Sequence, residues 1–171
     1  SNEGGPRFTF RWQKNNMGLW ILQSARRELG LDFAAAEALA RANACGALVD
    51  CNDEIFLAPE SMCAAVREKA GDLTDGQLLY CIYASLADCY KRALRAMEEK
   101  LGKKFGTLNV IGGGSRDKLL NELTARAAGV KVMAGPAEAT ALGNLMVQMI
   151  AGGEIKDIGE GREMIENTFP L

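Results

Sequence analysis

The chain has 171 residues, of which 48% are hydrophobic, and a formal net charge of −2 at pH 7. This length suffices for one domain with a buried core, and the slightly acidic balance argues against a surface that binds nucleic acid. No apolar stretch is long enough to span a bilayer, so no membrane association is expected. Histidine is absent, which excludes Ser-His-Asp, Cys-His and His-metal chemistry from the residues of this chain.

The five cysteines are spaced widely and irregularly, and no CxxC pair occurs among them. Zinc sites use closely spaced cysteine and histidine pairs, so this spacing predicts no protein-bound metal. Reduced and mostly buried thiols are expected instead, which is typical of a cytoplasmic protein. The cysteines are Cys45, Cys51, Cys63, Cys81 and Cys89.

The chain opens with a predicted strand and two predicted helices. "RFTFRW" (7–12) alternates polar and aromatic residues with the period of a half-buried strand, so its aromatic side chains are expected on a buried face. "NNMGLWILQSARRELG" predicts a helix with Asn15 or Asn16 as its N-cap and Gly30 as its stop. Asp32 is expected to cap the next helix, "FAAAEALARANA", because alanine has the highest helix propensity.

The middle of the chain is predicted to contain its longest helix. "ALVDCNDEIFLAPE" (47–60) indicates short extended pieces on either side of a polar turn, and Pro59 marks the start of a helix that runs to Gly71. Thr74 or Asp75 is expected to cap the long helix that follows. Along that helix, apolar and aromatic residues recur at intervals of three and four, as in a buried stripe: Leu79, Tyr83, Leu86, Tyr90 and Leu94.

The last part of the chain alternates strands with helices. Strands are predicted at 107–112 and 130–134, each followed by a helix, with Ser115 as the N-cap of the first of these helices. This order is typical of a parallel α/β layer. The final segment, 155–171, predicts a loop with a short helix. Residues 1–171 are predicted as a single domain, and because the first strand begins almost at once we expect a part of a longer protein.

Three consecutive glycines, 112–114, stand where the first of these strands meets its helix. Such a turn lets a phosphate approach the backbone amides at the start of a helix, because no Cβ atoms stand in the way. The motif is not GxGxxG, since the last position is Asp117, and no GK[ST] follows, which disfavours a dinucleotide site and excludes a P-loop. A merely tight strand-to-helix turn is the alternative interpretation.

A second glycine follows the second strand, in "AGPAEATALGN" (134–144). Adjacent parallel strands end at the same edge of a sheet, so Gly135 and the glycines 112–114 are expected at one edge. Ligands of α/β domains bind at that edge. Glu138, Thr140 and Asn144 lie near the start of the helix that follows.

Several strings resemble the C-terminal domain of the FGGY carbohydrate kinases. They are "NVIGGGS", "LLNELTA" and "AGVKVMAGPAEATALGN", preceded in the same order by "NEGG", "KNNMGLWILQSARRE" and "FLAPESMCAAV". The resemblance is collinear over nearly the whole chain and is strongest to the family members that act on L-rhamnulose. It implies an α/β fold of the actin-like ATPase (ribonuclease-H-like) class, with a mixed sheet flanked by helices, as the second of two domains.

The resemblance also implies a site and a reaction. ATP, with Mg²⁺, would lie between this domain and an N-terminal sugar-binding domain, and its γ-phosphoryl group would pass to L-rhamnulose. By resemblance, Asn15, Gln23 and Gly113 contact the nucleotide, and Gly112 and Gly114 shape the loop around it. Asn15 and Gln23 are eight positions apart, so one helix face can present both amides.

Asp117 stands where the family often carries an asparagine near the adenine, and a carboxylate cannot donate a hydrogen bond as an amide does. No catalytic residue is assigned, because the resemblance implies that the aspartate base precedes this domain. We therefore expect the chain alone to bind ATP weakly and to transfer nothing. Asn15 as a simple N-cap and Gln23 as a solvent-facing amide remain alternatives for those residues. A non-catalytic nucleotide-binding or interaction module, or a kinase for another ketose or a polyol, remains the alternative for the protein.

Overall fold

The computed structural model describes residues 2–4 and 10–168. The chain divides into two compact units, Ser1–Lys103 and Lys104–Leu171. The single domain over residues 1–171 stays a prediction. Among the described residues, none of the helices combines the length and the apolar character that crossing a membrane requires.

The first unit contains a small antiparallel sheet followed by helices. Its strands β1 (Asn2–Gly4) and β2 (Phe10–Trp12) pair antiparallel, with Glu3 and Arg11 as partners in the backbone register. The helices that follow are α1 (Trp20–Glu28), α2 (Phe33–Ala42), a short 3₁₀ helix (Glu54–Phe56), α3 (Met62–Ala70) and α4 (Asp75–Leu101).

Helix α4 forms the centre of the first unit, because α1, α2 and α3 all pack against it. The hydroxyl of Thr74 accepts from the amide of Gln77, and the Gln77 side chain accepts from the amide of Thr74, so a capping box starts the helix. Gly102 ends it in the left-handed conformation, with φ 61°. The predicted stripe is confirmed at Leu79, Tyr83, Leu86 and Leu94, which are buried, whereas Tyr90 is half-buried.

The predicted N-cap of α1 at Asn15 or Asn16 is wrong. The helix has Leu19 at its N-cap position, and this residue makes no side-chain capping bond. The cause is a contact far along the chain: the amide of Met17 donates to Oδ1 of Asn52 at 2.8 Å, in a segment without regular secondary structure ahead of the helix. Residue type alone cannot reveal such a contact.

The predicted helix ends are correct around the turn between α1 and α2. Gly30 has φ 67° and ends α1 through a bond from its amide to the carbonyl of Arg27 at 3.1 Å. The amide of Leu31 donates to the carbonyl of Arg26 at 3.0 Å, which completes a Schellman motif. Asp32 caps α2 by accepting from the amide of Ala35 at 2.7 Å.

Three further sequence predictions for the first unit need correction. Residues 47–60 form no strand: the amide of Val49 donates to the hydroxyl of Ser85 on α4, at 2.9 Å, instead of to a neighbouring strand. Helix α3 starts after Ser61 rather than at Pro59, since the Ser61 hydroxyl caps it. Phe10 is 82% exposed, because a two-stranded sheet covers little surface by itself; residues 7–9 lie outside the described part.

Glu28, at the end of α1, links that helix to the start of α3 through hydrogen bonds. Its carboxylate accepts from the hydroxyl of Ser61 at 2.8 Å, from the amide of Cys63 at 3.1 Å and from the amide of Met62. Desolvation by partial burial raises the pKa of this carboxyl, but the hydrogen bonds from Cys63, Met62 and Ser61 together outweigh it, so the pKa is lowered. The ionised carboxylate thus stabilises the packing of α1 on α3.

We expect Glu28→Ala to cost about 1 kcal/mol of unfolding free energy near neutral pH, the usual cost of a lost capping group. Because the folded state lowers the pKa below its ordinary value of 4.5, the contribution is complete above that pH. It disappears as the pH falls through the folded-state pKa. Urea denaturation across this range should therefore show the wild type and the variant converging at acidic pH.

A matched control is Glu37→Ala, which removes an exposed i, i+4 pair with Arg41 at 2.9 Å and should cost no more than about 0.5 kcal/mol. A stability difference between wild type and Glu28→Ala that stays constant with pH would contradict the role given to the carboxylate.

The second unit is a parallel α/β arrangement, as the sequence predicts. Strand β3 (Thr107–Val110) pairs in parallel with β4 (Lys131–Ala134), with Val110 opposite Ala134. A 3₁₀ helix (Gly112–Arg116) and α5 (Lys118–Ala128) connect the strands, and α5 packs on β4. Helices α6 (Ala139–Gly152) and α7 (Ile158–Thr168) follow. Helix α7 replaces most of the predicted final loop, and residues 169–171 lie outside the described part.

Candidate functional site

The triple glycine forms a turn at the carboxyl end of β3. Glycines 112–114 open the 3₁₀ helix that leads from β3 to α5. The first amides of such a helix have no acceptor within the helix itself. A ligand that accepts hydrogen bonds, such as a phosphate, can therefore bind the backbone here.

The turn is open above its first two glycines. A Cβ added to Gly112 or Gly113 would meet no described atom within 4 Å. Gly112 has φ 74°, a left-handed conformation that favours glycine, whereas the φ of Gly113 lies outside that region. Gly112 is therefore required by the backbone, while Gly113 leaves room for an approaching group.

The predicted cap of α5 is wrong: Asp117, not Ser115, is its N-cap. The carboxylate of Asp117 accepts from the amide of Leu120 at 3.0 Å, while the hydroxyl of Ser115 donates to the carbonyl of Gly112 at 2.7 Å. The 3₁₀ helix delays the start of α5 by two residues, from Arg116 to Lys118. Because the negatively charged carboxylate of Asp117 lies at the start of α5, it would repel a phosphate there. The amides of the glycine turn are therefore better donors for a phosphate than the first amides of α5.

Asn121, on α5, is hydrogen-bonded to the end of the glycine turn. Its side-chain amide donates to the carbonyl of Ser115 at 3.1 Å and to that of Gly114 at 3.4 Å. Asn121 therefore links α5 to the preceding loop. The turn is thereby fixed from the α5 side.

The second glycine turn meets the first at the same edge of the sheet. The amide of Gly135 donates to the carbonyl of Val110, the last residue of β3, at 2.8 Å. Gly135 has φ 124° and precedes Pro136 through a cis peptide bond. The expectation that both glycine turns lie at one edge is confirmed.

Asn15 and Gln23 belong to the first unit, and they do not share a helix face. Asn15 lies ahead of α1, in residues 13–18, whereas Gln23 lies within α1, half-buried. The prediction that one helix face presents both amides is therefore wrong, because the helix starts only after Leu19. Their contacts with a nucleotide stay a prediction, as do those of Gly112, Gly113, Gly114 and Asp117.

Asn15 lines an open cleft of about 450 Å³, which we call the 12–16 cleft. Residues 12–16 form one wall, and Ala93 and Met97 of α4 form the other. Lys14 was not singled out from the sequence, and Asn16 was considered only as an N-cap. The sequence signal that could have pointed to them is the polar string "QKNN" directly after a strand. Such a string identifies polar residues but does not indicate a cavity.

Two carboxylates and two thiols of the first unit have structural roles. Asp50 pairs with Arg92 at 3.2 Å and Asp53 with Lys69 at 2.7 Å. Burial raises the pKa of the Cys51 thiol to about 12 and that of the Cys81 thiol to about 11. These thiols are protonated near neutral pH and are poor nucleophiles.

A family model and curated relatives agree with this arrangement. The model of the FGGY family of carbohydrate kinases, C-terminal domain, matches residues 5–152. Rhamnulokinases from Lactiplantibacillus plantarum, Bacillus subtilis and Enterococcus faecalis are 40%, 39% and 43% identical to the chain. The matches cover 99–100% of this chain but 37% of each relative, so the chain spans about a third of their length. This chain therefore belongs to the FGGY family of carbohydrate kinases, as a C-terminal domain of the actin-like ATPase fold.

Proposed function

We propose that this chain is the ATP-binding part of a sugar kinase that phosphorylates L-rhamnulose to L-rhamnulose 1-phosphate. The observation that carries the proposal is the open glycine turn at the edge of a parallel sheet, in a chain that resembles rhamnulokinases along its whole length. Phosphoryl transfer depends on positioning and on neutralising charge, and fixed backbone amides serve both purposes.

The residues of this chain would bind and orient the nucleotide. The amides of Gly112, Gly113 and Gly114 would donate to its phosphates, and Asn121 keeps the turn in shape. The side-chain amides of Asn15 and Gln23 would supply further hydrogen bonds. ATP would arrive with Mg²⁺, which neutralises part of the phosphate charge.

Asp117 would lie near the adenine with its carboxylate as an acceptor. Because that carboxylate already accepts from the amide of Leu120, it is held in one orientation. It can accept from the exocyclic amine of adenine but cannot donate to a ring nitrogen. We therefore propose that Asp117 recognises the base through that amine.

The remaining parts of the reaction would come from an N-terminal sugar-binding domain. We propose that this domain supplies the aspartate base and most of the sugar contacts, so that this chain alone binds ATP and transfers nothing. A cleft between two domains is needed to exclude water and to align the acceptor hydroxyl. The cytoplasm is the proposed location, since the five cysteines are free thiols.

The experiment is a chimera that joins the N-terminal portion of the Lactiplantibacillus plantarum rhamnulokinase to this chain. It should phosphorylate L-rhamnulose at the expense of ATP, measured by coupled ADP release, while this chain alone should not. The same chimera with Gly113→Val is the control and should lose activity.

The other outcomes are equally informative. Activity on another ketose or on glycerol alone would exclude L-rhamnulose and keep the kinase. Nucleotide binding without transfer to any sugar would indicate a non-catalytic binding module instead.

A further inference from the structure

Arg116 carries a positive charge on the glycine turn and has no partner there. It is the last residue of the 3₁₀ helix that glycines 112–114 open. It is exposed, and within residues 2–4 and 10–168 its guanidinium forms no hydrogen bond or ion pair. An unpaired arginine on a protein surface is ordinary by itself, so its role depends on what lies beside it.

The geometry of the 3₁₀ helix places Arg116 on the same side as Gly113. Residues three apart in a 3₁₀ helix are eclipsed, and both of these residues belong to this helix. The hydroxyl of Ser115 follows the same spacing, because it donates to the carbonyl of Gly112 at 2.7 Å. A Cβ built on Gly113 would meet no described atom within 4 Å. The Arg116 side chain therefore borders the open space above Gly113.

The neighbouring polar side chains are engaged within the turn and the start of α5. The carboxylate of Asp117 accepts from the amide of Leu120 at 3.0 Å. The side-chain amide of Asn121 donates to the carbonyls of Ser115 and Gly114. These bonds hold the turn in place, while the guanidinium of Arg116 stays available to a ligand.

A guanidinium in this position suits the phosphate chain of a nucleotide. Its N–H groups form a planar fork that can bind two phosphate oxygens at once, and arginine remains charged at every physiological pH. Phosphoryl transfer requires that the negative charge of the phosphates be neutralised. The backbone amides of the glycine turn carry no net charge, so Arg116 can supply what they lack.

We propose that the guanidinium of Arg116 binds a phosphate group of ATP above Gly113 and holds the phosphate chain against the glycine turn. The inference rests on the proposed function and adds to it a charged side chain of this chain that contacts the phosphates.

Calorimetric titrations of this chain with ATP and Mg²⁺ test the contact. Arg116→Gln should weaken ATP binding about tenfold, the effect of a lost hydrogen bond to a charged group. It should leave the melting temperature unchanged, because the guanidinium has no partner in the described part of the protein. Arg116→Lys keeps the charge without the planar fork and should recover part of the affinity.

The dependence on salt separates an ion pair from an uncharged role. The ratio of wild-type affinity to Arg116→Gln affinity should fall as the sodium chloride concentration rises, because salt screens an exposed pair of charges. A side chain that only shaped the turn would give a ratio that does not depend on salt.

Arg126→Gln is the matched control. Arg126 is also exposed and has no hydrogen bond or ion pair among the described residues. It lies in the last turn of α5, about 12 Å along that helix from its first residue. This variant should bind ATP like the wild type.

The proposal is overturned if Arg116→Gln binds ATP like the wild type. If Gly113→Val still weakens binding in that case, the proposed function stands without Arg116. The proposal is also overturned if the affinity ratio does not change with salt, or if Arg126→Gln weakens binding as much as Arg116→Gln does. Absence of any nucleotide binding by the wild-type chain would overturn both the inference and the proposed function.

Discussion

Replacing Gly113 with valine is expected to weaken ATP binding by roughly 30-fold, the equivalent of ~2 kcal/mol for a lost hydrogen bond to a charged group. The valine side chain would occupy the open space through which a phosphate would reach the backbone amides of the turn. Isothermal titration of the wild-type and variant chains with ATP measures the effect.

The fold itself should tolerate this substitution. A Cβ at Gly113 meets no described atom within 4 Å, and its φ is not left-handed, so the unfolding free energy should change by no more than about 0.5 kcal/mol. Gly112 would be a poorer choice, because its φ of 74° strains any side chain.

The control for Gly113→Val is Gly106→Val. Gly106 also has open space around its Cβ position and lies just before β3, at the opposite end of that strand from the turn. This variant should bind ATP like the wild type. If Gly113→Val binds ATP as tightly as Gly106→Val, the phosphates do not lie over the glycine turn.

The second large effect concerns stability. Leu79 is fully buried on α4, the helix against which α1, α2 and α3 pack. Leu79→Ala should lower the unfolding free energy by about 2–5 kcal/mol, through lost apolar contacts and the cavity left behind. Urea denaturation followed by circular dichroism measures this change.

Leu57→Ala is the matched control for Leu79→Ala. Leu57 is 62% exposed, so the same truncation should cost no more than about 0.5 kcal/mol. Equal effects of the two substitutions would show that α4 is not the centre of the first unit.

The structural features predicted most accurately from the sequence were those that depend on residues close together in the chain. Asp32 was correctly predicted as a helix cap, and Thr74 is the cap of the two candidates, Thr74 and Asp75, because its hydroxyl, like the Asp32 carboxylate, accepts from an amide three residues ahead. The helix ends at Gly30 and Gly71 were also correctly predicted, because both glycines adopt a positive φ that other residues avoid. In the second unit, strand–helix alternation predicted parallel strands that end in glycine turns at one edge, since a short helical connection favours that arrangement.

Several incorrect predictions involve contacts between distant residues or competing local caps. The amide of Met17 bonds Asn52 and that of Val49 bonds Ser85, so neither segment forms the element that its own residues favour. Asp117 rather than Ser115 caps α5, because the 3₁₀ turn uses the Ser115 hydroxyl. Both residue types are good caps, and their spacing does not decide between them.

The candidate site was likewise only partly predictable from the sequence. The glycine turn was visible in the sequence, because consecutive glycines between a strand and a helix need a reason. The 12–16 cleft was not, because α4 supplies its second wall from residues about 80 positions further along the chain. Asn15 was linked to a nucleotide only through the resemblance to the family, and Asn16 was considered only as an N-cap.

The most direct measurement is a titration of the ¹⁵N-labelled chain with ATP and Mg²⁺, followed through its backbone amide resonances. The amides of Gly112, Gly113 and Gly114 should shift progressively and saturate with the dissociation constant found by calorimetry. If ATP binds while these three resonances stay in place, the phosphates are held elsewhere and the account is wrong.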